Sequence, residues 1–250
     1  MNILFDIGNS SISWALSDNG EFADRGSFNY DISQLPKQLQ QHIKLDPAIT
    51  YSKLLVSNVA DEDIIRQIKQ WADLAGIEQV WQASVERQFD ELKNAYPDIS
   101  QMGVDRWLAM LAAWTQYKTA LCVVDCGTAL TIDVIDRNGQ HLGGYILPGR
   151  ELMQKTLITN TRRIQASVSN QLDTGYADNT QAAINHGASL ATIATVNHVV
   201  EQAGKDLQCE PVCVISGGDS ALLLDAFDHE FIHAPDLVLQ GLILSHNAIS

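Results

Sequence analysis

Basic residues are scarce in this chain: 16 Lys and Arg stand against 30 Asp and Glu, a formal net charge of −14. No Lys- or Arg-rich run exists, and Arg162-Arg163 is the only adjacent basic pair. An acidic surface repels phosphate backbones, so nucleic-acid binding as the main function is disfavoured. A small anion remains possible if backbone N–H groups, a metal ion or one Arg supply local positive potential. Long apolar runs are missing too. No stretch approaches the roughly 18 residues that a membrane-spanning helix needs. No basic leader precedes an apolar segment at the start, so the expected setting is the cytoplasm, with no membrane partner. Cysteine is limited to Cys122, Cys126, Cys209 and Cys213. Their two C-x₃-C spacings invite a zinc reading, but Cys122 and Cys126 lie in a strand-to-turn segment and Cys213 in an apolar run. Buried free thiols are therefore expected. His229 and His233 lack a nearby third ligand and read as surface or loop histidines.

What is present is a globular composition, 46 % apolar over 250 residues, enough for one large domain or two modest ones. Within it a sentence is repeated. Asp6-Ile7-Gly8-Asn9-Ser10 ends an apolar run and is followed by alternating Ile12, Trp14 and Leu16 and a turn at Asp18-Asn19-Gly20. Asp125-Cys126-Gly127-Thr128-Ala129 ends a second run and is followed by Leu130, Ile132, Val134 and a turn at Asp136-Arg137-Asn138-Gly139. The Asp-to-Gly spacing is fourteen in both copies, Asp6 to Gly20 and Asp125 to Gly139.

Period-two alternation predicts a three-stranded meander at 2–5, 11–17 and 21–28, then helices near 32–43 and 61–75 around a strand at 53–57. Asp61 caps the second helix and Gly76 stops it. A short strand at 78–81, a loop at 94–102 and a helix at 104–117 complete the first half. The second half predicts strands at 120–125, 129–136 and 141–147, helices at 151–157 and 180–203, a strand at 211–216, then two short helices and a strand. A polar segment occupies 159–179. Periodicity alone gives an α/β chain with two similar halves. The expected lobes are 1–118 and 119–250.

The chemistry follows from residue type. Gly8 lets backbone approach a ligand closely. Asn9, Ser10 and Ser11 offer short donors, and successive N–H groups at such a turn cradle phosphate oxygens. A carboxylate at a strand end, Asp6, suits Mg²⁺, which keeps most of its waters. One copy would read as an ordinary hairpin turn; duplication at matched spacing favours a pair of anion clamps. In the second copy Thr128 can donate to phosphate and Asp125 can bind a cation, whereas Asp133 is expected to be solvated or hydrogen-bonded. Gly217-Gly218-Asp219 reads as a wall against adenine or ribose, or as common punctuation. Gly143-Gly144 through Pro148-Gly149 reads as a bulged strand end or a functional crossing strand.

Gly103-Val104-Asp105-Arg106-Trp107 places a carboxylate and a guanidinium in the first turn of a helix. Two readings stand. In one, Asp105 suits the helix dipole while Arg106 makes a surface pair. Alternatively Asp105 accepts the proton of a substrate hydroxyl and Arg106 holds a polar or anionic group. Small residues at Ala183, Gly187, Ala191 and Thr195, four apart, permit close helix approach, within the chain or at a dimer seam.

Taken together, Asp6 to Ser10, Tyr96, Gly103 to Trp107, Asp125 to Asp133, Gly143-Gly144 to Pro148-Gly149, Asn179-Thr180 and Gly217-Gly218 resemble the type III pantothenate kinases. These belong to the acetate-and-sugar-kinase/heat-shock-chaperone/actin superfamily, and the resemblance covers nearly the whole length. It implies an α/β fold of two similar actin-like (ribonuclease H-like) lobes, each a mixed sheet with a three-strand meander and flanking helices. It also implies phosphorylation of pantothenate by ATP, the first step of coenzyme A synthesis, in a cytoplasmic homodimer using Mg²⁺ and a monovalent cation, K⁺ or NH₄⁺. By this resemblance Asp6, Ile7, Gly8, Asn9, Ser10, Ser11, Ile12, Ser13 and Thr128 bind ATP, and Asp6 meets Mg²⁺ through water. Asp125 binds the monovalent cation. Tyr96, Gly103, Val104, Asp105, Arg106 and Thr180 contact pantothenate, with Asp105 as proton acceptor. Ser10 stands where the family often has Thr, and Asp178 precedes Asn179-Thr180 as the family's acidic residue. Asp105 and the second hairpin lie on different halves, so lobe closure is expected to assemble the site. The rival readings are a superfamily phosphohydrolase, with water as acceptor, and an accessory transcription factor-like relative.

Overall fold

The computed structural model describes residues 1–161 and 166–248, so the Arg162-Arg163 pair lies outside the described residues. The elements are β1 (Asn2–Ile7), β2 (Ser11–Asp18), β3 (Glu21–Asn29), α1 (Leu35–His42), β4 (Lys53–Asn58), α2 (Glu62–Leu74), β5 (Gln79–Gln82), β6 (Gln88–Phe89), β7 (Leu92–Lys93) and α3 (Val104–Tyr117). They continue with β8 (Leu121–Cys126), β9 (Ala129–Ile135), β10 (His141–Pro148), α4 (Arg150–Asn160), α5 (Thr180–Leu207), β11 (Val212–Ser216), α6 (Ser220–Leu223), β12 (Phe231–His233) and α7 (Leu237–Asn247). Two five-stranded sheets run β3-β2-β1-β4-β5 and β10-β9-β8-β11-β12. The second order is the first one replayed. In each, a meander is antiparallel and the next two strands add in parallel.

The chain divides into two compact units. One holds Met1–Arg87, Pro97–Ala112 and Leu237–Ser250; the other holds Gln88–Tyr96 and Ala113–Asp236. In the first unit, Ile3, Phe5 and Ile7 of β1 and Leu54 and Val56 of β4 bury one sheet face against Leu35 and Leu39 of α1 and Ile64, Ile68 and Trp71 of α2. The cap expected for α2 is present, since Asp61 accepts from the amide of Asp63 at 3.1 Å. Gly76, at φ +76°, ends that helix. The helix α7 packs on β1 and β4. In the second unit, Cys122, Val124 and Cys126 of β8 and Cys213 and Ile215 of β11 bury the sheet against Ile193, Val196, Val199 and Val200 of α5.

Period-two strands and periodic helices fell where the sequence placed them, with ends shifted by a few residues. The hairpin β6–β7 was not foreseen, because two-residue strands carry no period. Cys122, Cys126 and Cys213 are buried free thiols, as expected, and Cys209 is partly exposed. Burial raises the pKa of the Cys126 thiol. For Cys122 the leading cause of a raised pKa is its hydrogen bond with Cys213, its partner in register. His233 is exposed but lies on β12 and meets Ser220 Oγ at 2.9 Å.

Gly241 of α7 crosses so near to α3 that a Cβ there would stand 2.0 Å from the carbonyl oxygen of Leu108. Gly241→Ala is therefore expected to lower stability by about 1–3 kcal/mol, through forced separation of the two helices. A urea titration would show this as a lower midpoint; an unchanged midpoint would contradict the packing.

Candidate active site

Parallel pairing decides what stands beside each motif aspartate. In the first unit Asp6 is in register with Ser57 of β4, and Ser57 Oγ donates to Asp6 Oδ1 at 2.8 Å. In the second, Asp125 is in register with Ser216 of β11, and Ser216 Oγ donates to Asp125 Oδ2 at 2.6 Å. Both serines are buried and both carboxylates half-buried. A hydroxyl beside a partly desolvated carboxylate lowers the cost of keeping it charged and fixes its rotamer. Neither serine carried a sequence signal, since Ser at a strand end is unremarkable without the register.

The loops are latched alike. Val59, just after β4, donates to the carbonyl of Ile7 at 3.1 Å, and Asp219, just after β11, donates to that of Cys126 at 2.9 Å. The residue following each meander closes the other side. Tyr30 donates its amide to Ser10 O at 3.3 Å, and its hydroxyl to Gly8 O at 2.9 Å. Gly149 donates to Thr128 O at 2.9 Å. A Cβ on Gly149 would lie 2.2 Å from Gly127 O, so only glycine allows that latch. Burial raises the Tyr30 pKa.

Equal spacing conceals local differences. Asp6 faces Ser13 and Asp125 faces Thr131 across their hairpins, so the second loop is one residue shorter. The far turn is a tight Asn19-Gly20 pair in the first unit and a longer Asp136–Gln140 loop in the second. The turn after the central parallel strand also differs, with Gly217-Gly218 present only in the second unit. Gly217 has φ +93°, and a Cβ there would lie 2.5 Å from the backbone carbon of Cys126. This glycine is thus required by chain crossing in its own right.

The first hairpin exposes Asn9 and Ser10 and leaves Gly8, Ser11 and Ser13 half-buried, while Ile7 and Ile12 are wholly buried. The side chains of the two isoleucines are therefore closed to a ligand. Thr128 is exposed at the second loop. Asp105 stands in the first turn of α3 and accepts the amide of Arg106 on Oδ1 at 2.8 Å. Its carboxylate folds back over Gly103, where a Cβ would come within 2.4 Å of Oδ1, and near Val59. Because Val59 is latched to Ile7, Asp105 stands at the same sheet end as Asp6. Val104 is buried, and Arg106 is only 5 % exposed. The reading of Arg106 as a surface pair is thus corrected: α3 carries it inward.

In the second unit, the ring of Tyr96 stacks on His141, with centroids 6.2 Å apart and planes 12° apart. Thr180 is exposed at the start of α5, where Asn179 caps the helix by accepting from Ala182 N at 2.9 Å. It borders a groove of about 550 Å³ whose other walls include Pro148, Met153, Leu157 and Ile184. Asp133 is buried and hydrogen-bonded, to His141 Nε2 at 2.9 Å. Thus Tyr96, Asp125, Thr128 and Thr180 belong to the second unit, and Asp6 to Ser13 and Gly103 to Arg106 to the first.

Among the described residues no group of three His, Cys, Asp or Glu side chains could hold a metal ion. The donor sets at Asp6 and Asp125, one carboxylate each with a buried hydroxyl behind, suit a hard cation that takes its remaining oxygens from water and phosphate.

Two repeated mixed sheets with these loops define the actin-like ATPase and sugar-kinase fold. Solved structures agree. A Baf family transcriptional activator from Campylobacter jejuni superposes with TM-score 0.62 at 22 % identity, covering 99 % of this chain and 98 % of that one. An ADP-bound MreB5 of Spiroplasma citri gives TM-score 0.53 at 11 % identity, covering 99 % and 96 %. Sequence narrows the class: the model of the type III pantothenate kinase family matches residues 2–202, and the chain belongs to that family. Its relatives include the type III pantothenate kinases of Nitrosococcus oceani, 34 % identical over 97 % of this chain and 92 % of that protein, and of Marinobacter nauticus, 35 % identical over 97 % and 96 %.

Tyr30 grips the first loop from behind, so Tyr30→Phe is expected to lower stability by about 1 kcal/mol, the worth of one hydrogen bond. A urea titration reads this as a lower midpoint, and an equal midpoint would show the loop to be held without it.

Proposed function

We propose that this protein transfers the γ-phosphoryl group of ATP to the hydroxyl of pantothenate, giving 4′-phosphopantothenate, the first step of coenzyme A synthesis. Membership of the type III pantothenate kinase family carries this reading. The residue roles are part of the proposal. Amides at the Asn9–Ser10 tip of the first loop and the Thr128 hydroxyl take phosphate oxygens. The Asp105 carboxylate accepts the proton of the attacking hydroxyl, from a helix N-terminus that favours the anion. That suits phosphoryl transfer, where positioning and charge neutralisation outweigh full proton removal. Tyr96, Thr180, Arg106 and the backbone of Gly103 and Val104 orient pantothenate. Asp6, through water, would hold Mg²⁺ and Asp125 would hold K⁺ or NH₄⁺; bound there, the cations offset phosphate charge.

The setting we propose is the cytoplasm; among the described residues no helix is long and apolar enough to cross a membrane. A homodimer is also proposed. Leu142, Tyr145 and Ile146 on the edge strand β10, Leu152 and Leu157 on α4 and Leu190 on α5 are all exposed. Ala183, Gly187 and Ala191 of the small-residue stripe are exposed with them. An apolar edge strand of this kind calls for a cover.

Two measurements test these readings. Purified protein should release ADP only when pantothenate is added, faster in K⁺ than in Na⁺, and Asp105→Asn should lose at least about a hundredfold in turnover while keeping its ATP affinity. ADP release without pantothenate would favour a phosphohydrolase instead. Ile146→Asp, with its side chain 63 % exposed, should shift the species seen by analytical ultracentrifugation from dimer to monomer; a wild-type monomer would end the dimer reading.

A further inference from the structure

The second unit contains a buried polar arm that the chemistry above does not use. His141 is wholly buried at the start of β10, and Asp133, across on β9, is nearly so. Ala95 donates its amide to His141 Nδ1 at 3.3 Å. With Nδ1 accepting, the ring carries its proton on Nε2, which donates to Asp133 Oδ1 at 2.9 Å. The imidazole is thereby fixed in tautomer and orientation between a carboxylate and the backbone next to Tyr96.

Two glycines make room for this arrangement. The ladder between β9 and β10 slips between His141 and Gly143, and Gly143 takes φ +117°. A bulge of this kind re-aims the neighbouring side chain. At Gly144 a Cβ would lie 2.6 Å from Asp133 Oδ1 and 2.1 Å from the carbonyl oxygen of Ile132. Gly143 thus serves the bulge through its φ, and Gly144 leaves room for the Asp133 carboxylate. The segment on the far side is held at several points. Lys93 donates its amide to Gly139 O at 2.8 Å, docking β7 on the longer turn that distinguishes the second repeat. The amide of Tyr96 donates to Asn94 Oδ1 at 2.9 Å. The ring of Tyr96 then lies nearly parallel to that of His141.

We infer that His141, backed by Asp133, is a positioning residue: it sets the Asn94–Tyr96 segment and the Tyr96 ring for the acceptor substrate and takes no part in nucleotide binding. This rests on the assignment of Tyr96 to pantothenate made above. A histidine, unlike an apolar side chain of equal size, can join a buried carboxylate to a backbone amide with one rigid ring.

His141→Gln tests it, because Gln can keep a donor towards Asp133 while losing the acceptor for Ala95. The expected result is a KM for pantothenate raised roughly tenfold, with the KM for ATP unchanged within about twofold. In a Tyr96→Ala background the same substitution should add nothing further. An unchanged pantothenate KM, equal effects on both substrates, or a full additive effect without Tyr96 would overturn the proposal. If His141→Gln does not fold, Asp133→Asn, which keeps an acceptor for Nε2, takes its place with the same expected split. A second readout needs no turnover. In 3-fluorotyrosine-labelled protein the ¹⁹F resonance of Tyr96, identified by its loss in Tyr96→Phe, should shift or broaden in His141→Gln. A wild type that ignores pantothenate while this resonance moves would refute the substrate and leave the arm standing; an unmoved resonance would refute the arm.

Discussion

A carboxylate at the end of a buried strand must be given a hydrogen-bond partner, and in this fold the neighbouring parallel strand supplies it. Asp6 meets Ser57 and Asp125 meets Ser216, each across the same parallel step of its sheet. Every other feature of the two loops is arranged around that pair. The amide after the central parallel strand holds the residue following the aspartate, and the amide after the meander holds the loop tip. Stripped of the serine, each carboxylate would lose a hydrogen bond that offsets part of its desolvation and helps set its rotamer. The pair is therefore a preorganising device, set by backbone register before any ligand arrives.

The glycines of the motifs turn out to serve the chain as much as a ligand. Gly103 yields space to the Asp105 carboxylate, Gly149 to the carbonyl of Gly127, and Gly217 to the backbone of Cys126. Each permits an approach that brings a polar group to a sheet end, so the chemical requirement and the steric one coincide in a single residue. That coincidence is why glycine-rich signatures recur at phosphate sites and why a signature alone does not say which demand it answers.

Much of the fold was legible because it rests on period and repetition. Alternating Ile12, Trp14 and Leu16 could only be a strand with one buried face, and the second copy fixed the plan. The helix at Val104–Tyr117 was readable from its apolar stripe and the glycine before it. What could not be read depends on register and on contacts far apart in sequence. Ser57 and Ser216 are 51 and 91 positions from their aspartates, and Tyr30 is 22 from Gly8. The inward course of Arg106 and the β6–β7 hairpin were likewise invisible, the first because a charged residue near a helix start reads as surface. The equal Asp-to-Gly spacing concealed a shorter loop, a shorter strand run and a longer turn.

The assignment of α7 to the first unit has a bearing on how the molecule is made. The ribosome delivers residues in order, and the whole second unit emerges before Leu237 and Leu242 can reach β1, β4 and α3. Until then the apolar surface they cover stays wet, so the lobe begun first is finished last. Nascent chains paused before α7 should hold a settled second lobe beside an unfinished first one, and it is there that chaperones would find their handhold.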